Sequence, residues 1–182
     1  MEGAGNGGTW IIENGELSGT TAGYQDLFLV GSETWTDYTV EFRGKLTGGR
    51  ILGMAFRYTD TNNNYRLNLY EDLDNTNNFY VYLRVAGAFS EVMKVPLGEI
   101  DKDEWYTLKI EVEGDSIKAY LDGELKIEAQ NSAHEEGGIA FEGETNTIAQ
   151  FDDLSVEGIG IPSSPVDTKG KLASQWAKIK LE

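Results

Sequence analysis

The stretch 104–129, EWYTLKIEVEGDSIKAYLDGELKIEA, constrains the fold more than any other part of the sequence. Its first part alternates polar residues with apolar ones, the period of two that is typical of a half-buried strand: Tyr106, Leu108, Ile110 and Val112. Gly114 and the dipeptide Asp122-Gly123 supply turn residues between three such runs. The stretch therefore predicts three consecutive antiparallel strands joined by two tight turns. We also expect Trp105 to be largely buried beside Leu108 and Ile110.

The apolar pattern also predicts the register of the second hairpin in this stretch. A two-residue loop places Ile117 and Ala119 opposite charged residues. A three-residue loop, 121–123, pairs them instead with Ile127 and Leu125, respectively. Because a slip of one residue exchanges the core and solvent faces of a strand, we predict the three-residue loop with a bulge at its glycine.

The composition indicates an all-β chain of one domain with a short tail. The 182 residues are 40% hydrophobic and 11% aromatic, which is too apolar for a disordered chain and sufficient for a substantial core. Glycine is abundant (22 residues) and proline is scarce (3 residues), a composition that suits many tight turns between short strands. Helix signals are almost absent before residue 160.

The net charge of −16, from 31 acidic and 15 basic residues, argues against nucleic acid as a partner. Nucleic-acid binding depends on lysine and arginine that neutralise phosphates. The acidity favours solubility, and it also suits calcium, a hard cation with oxygen ligands. The absence of cysteine excludes disulfides, thiol catalysis and thiolate metal sites. The sequence contains no signal peptide and no transmembrane run, so we expect no membrane partner, although a signal could have been trimmed.

Four successive predicted strands share an apolar inner face and an outer face of Arg, Glu, Asn and Tyr. The candidate ligand-binding residues on these outer faces are Glu41, Arg43, Arg57, Arg66, Tyr70, Tyr82 and Arg84. Planar guanidinium donors and tyrosine rings are groups that hold sugar hydroxyls and stack on sugar rings. The pattern predicts a sugar-binding face, but Arg–Glu and Arg–Tyr pairs are also common on ordinary sheet surfaces.

Arg57 and Arg66 are expected on the same face of the sheet, because a single hairpin turn separates two strands of like alternation. Their guanidinium groups, with Tyr70 or Tyr82 nearby, would then bind sugar hydroxyls. The alternative makes Arg57 a structural cross-strand partner of Glu41.

Catalytic and metal-binding patterns are weak. His134, the single histidine, lies in a polar loop, and no serine has the surroundings of a catalytic triad. Paired carboxylates are the remaining enzymatic route, but no strand carries the E-x-D-x-x-E pattern of family 16 glycosidases. The motif Asp60-x-Asn62-x-Asn64 copies half of a calcium loop, yet Tyr65 replaces the required glycine. We therefore predict a hairpin turn at this motif.

Seven segments of the chain match a known family pattern in the right order. They are Gly8–Trp10, Glu13–Leu17, Trp35–Glu41, Gly53–Tyr58, Glu104–Leu108, Tyr120–Gly123 and Phe151–Val156. Through them, residues 9–157 resemble the concanavalin A-like jelly roll in its laminin-G-type form. The nearest versions are family 66 carbohydrate-binding modules and the related 3-keto-glycoside hydrolase sandwich. The resemblance implies an all-β, antiparallel two-sheet jelly-roll β-sandwich, a fold that serves sugar-binding, adhesive and catalytic units alike.

The same resemblance implies a metal site. Many of these sandwiches bind calcium, and Asp152 matches the aspartate of the family's closing F-D-x-V-x-V strand. A carboxylate with backbone carbonyls suits calcium, so we predict one structural calcium near Asp152. Alternatively, Asp152 pairs with a neighbouring turn. The opening segment 2–8, EGAGNGG, departs from the acidic-aromatic strand with which members usually begin.

The predicted organisation is a β-sandwich at 1–157, a Gly/Pro/Ser linker at 158–166, and a short amphipathic helix or terminal tail at 167–182. In the last segment, Leu172 and Trp176 are spaced like one face of a helix. This tail could dock on the acidic sandwich or lead into another module.

These features favour a non-catalytic carbohydrate-binding module that recognises a polysaccharide or oligosaccharide. We expect it to belong to a larger secreted protein, with other domains as partners, and to act outside the cell or at its surface. The first rival is a glycoside-processing enzyme of the 3-keto-glycoside hydrolase type, and the second is a protein-binding adhesion domain.

Overall fold

A computed structural model of the chain describes residues 8–13, 15–23, 26–71, 77–144, 146–159 and 161. In this part of the chain no helix is long and apolar enough to cross a membrane. The strands are β1 Thr9–Glu13, β2 Glu16–Thr20, β3 Asp26–Val30, β4 Tyr38–Gly48, β5 Ile51–Asp60, β6 Asn63–Glu71, β7 Asn77–Val85, β8 Ala88–Leu97, β9 Trp105–Glu113, β10 Ser116–Leu121, β11 Glu124–Gln130, β12 Gly138–Gly143 and β13 Ile148–Gly158.

Some predicted segments lie outside the described residues. They are nearly all of the opening segment 2–8, most of the linker 158–166, and the C-terminal helix or tail at 167–182.

The strands form two antiparallel sheets. The seven-stranded sheet has the order β1-β2-β13-β4-β9-β10-β11, and the six-stranded sheet has the order β3-β12-β5-β6-β7-β8. Neighbours that are distant in sequence, such as β13 and β4, arise because the chain crosses repeatedly between the sheets. The predicted antiparallel two-sheet β-sandwich is confirmed.

The core lies between the inner faces of the two sheets, where the alternating apolar residues meet. Phe42 of β4 and Phe151 of β13 approach Phe141 of β12 from the opposite sheet, with ring centroids 5.1 and 4.5 Å apart. All three rings are buried. Strands 38–48, 51–60, 63–71 and 77–85 all keep an apolar inner face, as the sequence predicts.

The predicted register of the hairpin between β10 and β11 is wrong. Asp122 and Gly123 both have positive φ angles, 50° and 79°, so the loop has two residues in the conformation that such turns favour. A bulge further along the hairpin then shifts the pairing by one residue, and Ala119 lies opposite Ile127. The two-residue loop alone would place the apolar residues of β10 opposite charged residues, and the bulge corrects this shift of one residue. The apolar side chains therefore stay on the inner face, except for Leu125, which is exposed.

The expected position of Trp105 in the core beside Leu108 and Ile110 is also wrong, because Trp105 is only partly buried and lies outside the core. Tyr106, Leu108 and Ile110 point toward the core, so alternation directs the preceding tryptophan to the outer face of the seven-stranded sheet. The ring lies 4.8 Å from the cationic groups of both Arg43 and Lys45. Trp105 therefore contributes to a surface cluster and not to the core.

The Asp60 motif forms the predicted hairpin turn. The Asp60 carboxylate accepts hydrogen bonds from the Asn62 backbone at 2.6 Å and from the Asn63 side chain at 2.9 Å. These bonds, with that from the Asn63 side chain contributing most, hold the pKa of Asp60 below its usual value.

Alanine substitution of one core ring and of Trp105 tests the placement of Trp105 on the outer face. We expect Phe42→Ala to lower the free energy of unfolding by about 3–5 kcal/mol, because it removes a fully buried ring and leaves a cavity. Trp105→Ala should cost roughly 1 kcal/mol, since exposed cation–π contacts are weak. Urea denaturation of both variants measures the difference. Equal losses would contradict the placement of Trp105 on the outer face.

Candidate functional site

The outer face of the six-stranded sheet has a trough along β5, because Gly53 and Ala55 present little side chain there. A Cβ at Gly53 would lie 2.1 Å from Asn68 Oδ1, so the amide group of Asn68 rests on the glycine. Arg66 is paired with Ala55 in the register, and its guanidinium reaches across β5 to Glu142 on β12. The small residues of β5 therefore allow side chains from β6 and β12 to meet.

A buried ion pair lies at the centre of this trough. Arg66 Nη1 donates to Glu142 Oε2, and the two residues are only 4% and 1% exposed. Arg66 Nε donates to Asn64 Oδ1 at 3.1 Å. Arg66 Nη2, Glu142 Oε1 and Asn68 Oδ1 are buried without a hydrogen-bond partner in the protein. Such atoms are rare in native structures, and each costs about 1–3 kcal/mol.

A row of aromatic rings borders the ion pair. Tyr70 meets Tyr80 edge to face at 5.9 Å, Tyr80 stacks on Tyr82 at 4.7 Å, and Tyr82 meets Phe89 edge to face at 6.4 Å. Tyr80 is buried, whereas 41% of the surface of Phe89 is exposed. The row thus runs from β6 across β7 to β8, the last strand of this sheet.

A second arginine and a second carboxylate adjoin the row. Arg50 Nη2 donates to the Tyr70 hydroxyl at 3.0 Å, and its Nη1 is buried without a partner. Burial, and next the charge of Glu142, raise the pKa of Glu144, while Arg50 and Arg66 oppose that increase. The face therefore combines positive and negative groups that are only partly neutralised by each other.

Four of the residues predicted from the sequence lie together on this face: Arg66, Tyr70, Tyr82 and Arg84. The Arg84 side chain donates from Nε to the Gly87 carbonyl at 3.2 Å and from Nη1 to the Thr61 carbonyl. It also lies 4.7 Å from the Phe89 ring. Arg84 therefore fastens the tip of the β7–β8 hairpin beside the site.

The prediction that Arg57 shares a face with Arg66 is wrong. A register shift interrupts β5 after Phe56, and Arg57 takes a positive φ of 44°. Consequently Tyr58 joins the apolar residues of the outer face, while Arg57 is directed to the loops at the end of the sandwich. It is 1% exposed.

The partners of Arg57 are structural. Its guanidinium donates to the carbonyls of His134 at 3.0 Å and Thr36 at 3.3 Å, and lies 3.8 Å from the Asp37 carboxylate. Glu41, the partner expected in the alternative hypothesis, belongs to the other sheet. His134 Nε2 hydrogen-bonds to the Arg84 carbonyl at 2.7 Å, so the histidine ties its own loop, between β11 and β12, to the end of β7.

Glu41 and Arg43 are separated from the other predicted ligand-binding residues by the whole thickness of the sandwich. Both are on β4, on the outer face of the seven-stranded sheet. Arg43 pairs with Asp153 at 3.3 Å, and Glu41 is paired with Lys109 in the register. The structure therefore does not bring these two residues into the same site as Arg66.

Asp152 lies at a bulge of β13, beside Arg43. Its Oδ1 accepts a hydrogen bond from the amide of Asp153, the next residue of the same strand, at 2.8 Å. Among the residues that the structure describes, no group of three or more His, Cys, Asp or Glu side chains is placed to hold a metal ion. The predicted shell of one carboxylate with backbone carbonyls is a different arrangement, so the calcium site near Asp152 stays a prediction.

Sequence reasoning missed several residues of this face: Arg50, Asn68, Glu142, Glu144 and Phe89. The signal for Glu142 was present in the sequence, because Glu142 directly follows the apolar run 139–141 and alternation places it on the same face as Ala140. The signal for Asn68 lay in its alternation with Leu67 and Leu69.

The two antiparallel sheets define a jelly-roll β-sandwich, a class of protein that serves sugar-binding, adhesive and catalytic functions alike. Residues 2–157 match the family described as the 3-keto-alpha-glucoside-1,2-lyase-like domain, and the chain belongs to this family.

Two Bacillus subtilis proteins are similar to this chain. A levanase is 33% identical over 137 residues, a match that covers 70% of this chain but 20% of the levanase. The chain thus spans about a fifth of that relative. The carbohydrate-binding module CBM66 superposes with a TM-score of 0.73 at 27% identity, covering 84% of this chain and 92% of the module.

A more distant structure shares the fold alone. The Caenorhabditis elegans galectin LEC-6 superposes with a TM-score of 0.52 at 12% identity, covering 81% of this chain and 99% of the galectin.

The structural role of Arg57 can be tested by its removal. We expect Arg57→Ala to lower the free energy of unfolding by roughly 1.5–3 kcal/mol, because it removes charge-assisted hydrogen bonds from a buried site. Arg43→Ala is the matched control, and should cost less than about 1 kcal/mol since its ion pair is solvent-exposed. Chemical denaturation gives both values, and a neutral Arg57→Ala would refute the structural role.

Chelation tests the calcium prediction. If calcium binds near Asp152, EDTA should lower the melting temperature, because a ligand that binds only the folded state stabilises it. Scanning calorimetry with EDTA and then with excess calcium provides the comparison. Superimposable melting curves from demetallated and calcium-loaded protein would remove the calcium site.

Proposed function

We propose that this chain is a non-catalytic carbohydrate-binding module whose binding site is the outer face of the six-stranded sheet. One observation carries the proposal: buried polar atoms of Arg66, Asn68 and Glu142 have no partner in the protein, and they adjoin a row of aromatic rings. Because these atoms are closed to solvent, a ligand must displace neighbouring side chains to reach them, and the hydrogen bonds that it then supplies recover part of the free energy that the atoms cost the folded protein.

The donor and acceptor pattern of the site suits neighbouring hydroxyl groups. Glu142 Oε1 and Asn68 Oδ1 can only accept hydrogen bonds, and Arg66 Nη2 can only donate. A sugar hydroxyl does both, so two adjacent hydroxyls can donate to the carboxylate or amide and accept from the guanidinium. The bordering tyrosine rings offer apolar surface for the C–H groups of the same sugar.

The names of the relatives suggest the first glycan to test. Because one relative is a levanase and another is a carbohydrate-binding module, levan is our first candidate. The levanase is about five times as long as the matched region, so we propose that this chain likewise acts beside other domains of a secreted protein. Its place would then be outside the cell or at its surface.

Asn68→Ala tests the site without disturbing the ion pair. Because Asn68 Oδ1 has no partner in the protein, its loss should leave the melting temperature unchanged or slightly higher. Binding of levan oligosaccharides should weaken by about 1–3 kcal/mol, a factor of roughly 5 to 150 in Kd. Titration calorimetry measures the binding, and thermal melts check the fold. Gln150→Ala, an amide on the seven-stranded sheet, is the matched control.

A glycan array and a hydrolysis assay on the same sugars complete the experiment. Binding without product release supports a binding module, whereas turnover would favour the glycoside-processing alternative. Wild-type affinity in the Asn68→Ala variant would refute the proposed site, and binding to proteins but to no glycan would favour an adhesion domain.

A further inference from the structure

Phe89 is an exposed ring on the face that carries the proposed site. It pairs in the register with Arg84, whose side chain lies on the outer face of the six-stranded sheet. It leaves 41% of its surface exposed. Met93, on the same strand and 38% exposed, pairs instead with Val81, whose side chain lies in the core. Phe89 and Met93, the two large exposed hydrophobic residues of β8, therefore point to opposite faces of the sheet.

The position of the Phe89 ring is fixed by its neighbours. The guanidinium carbons of Arg84 and Arg66 lie 4.7 and 5.4 Å from the ring centroid, and Tyr82 meets the ring edge to face. The tip of the hairpin is fastened as well, since Gly87 N donates to the Asn62 carbonyl at 3.0 Å. A ring held in this way loses little conformational freedom when a ligand packs on it.

Arg66 joins this ring to the buried ion pair. Its guanidinium contacts Glu142 on β12 and also the Phe89 ring on β8. A sugar unit that bonds to the Arg66–Glu142–Asn68 cluster would therefore have Phe89 beside it, on the side of the sheet edge. No further strand covers β8 in the described part of the chain, so that edge leaves room for a longer ligand.

We infer that Phe89 is the platform of a second subsite, which packs against the sugar unit next to the one held by Arg66, Asn68 and Glu142. This inference rests on the proposed function and deepens it: the preferred ligand is an oligosaccharide of at least two units that runs from β12 toward β8. Phe89 provides chain-length preference, while the polar cluster provides recognition of a single unit.

The test compares chain lengths in four proteins: wild type, Phe89→Ala, Phe89→Trp and Met93→Ala. The probes are fructose and levan oligosaccharides of two and three units, with calorimetry as the measurement and thermal melts as the check on folding.

Wild type should bind the two-unit probe about three- to tenfold more tightly than fructose, the gain expected from one aromatic contact. Phe89→Ala should lose this preference and keep the affinity for fructose. Phe89→Trp should retain the preference, and Met93→Ala should behave as wild type.

The other outcomes contradict either the second subsite alone or the proposed function as well. A Phe89→Ala variant that keeps the chain-length preference overturns the second subsite alone. Equal loss of affinity for fructose and for the longer probes places the ring in the first subsite and also overturns the inference. If the wild type binds none of these probes and no other glycan on the array, the proposed function fails and the second subsite fails with it.

Discussion

The alternation of side chains along each strand is the constraint on which this sandwich depends. The inner faces of both sheets must be apolar, so an irregularity in the backbone changes which side chains face the core. Two bulges have opposite effects on this alternation. The one in β11 compensates for a two-residue loop, and the one at Arg57 transfers Tyr58 to the outer face while the arginine turns to the end loops.

The buried Arg66–Glu142 pair is not required by the fold. Desolvation of two charges costs free energy that their attraction repays only when every remaining donor and acceptor is satisfied, and here several are not. Replacement of a buried ion pair by well-packed apolar residues of similar volume is often neutral or stabilising. The unsatisfied atoms of this pair therefore cost stability, and the proposed ligand would offset that cost.

The fold was predictable because it follows from periodicity and turn residues, which are local properties of the sequence. The site was only partly predictable. The faces of Arg66, Tyr70, Tyr82 and Arg84 followed from alternation, but the bulge at Arg57 leaves no clear trace in the sequence. The neighbours of each strand depend on how the chain crosses between the sheets, which periodicity does not predict. The sequence therefore could not show that Glu41 and Arg43 lie far from Arg66. It also could not show that Arg66 on β6 contacts Glu142 on β12.

The two outer faces of the sandwich show why polar composition alone does not identify a site. On the seven-stranded sheet the charged groups satisfy each other: Lys109 pairs with Glu111 at 2.6 Å, and the Tyr120 hydroxyl donates to the same carboxylate at 2.7 Å. On the six-stranded sheet Arg66 and Glu142 keep buried atoms that no protein group satisfies. A ligand that binds the first face must break existing interactions, whereas a ligand that binds the second supplies missing ones. The same residue types therefore form a stable surface on one sheet and a candidate binding site on the other.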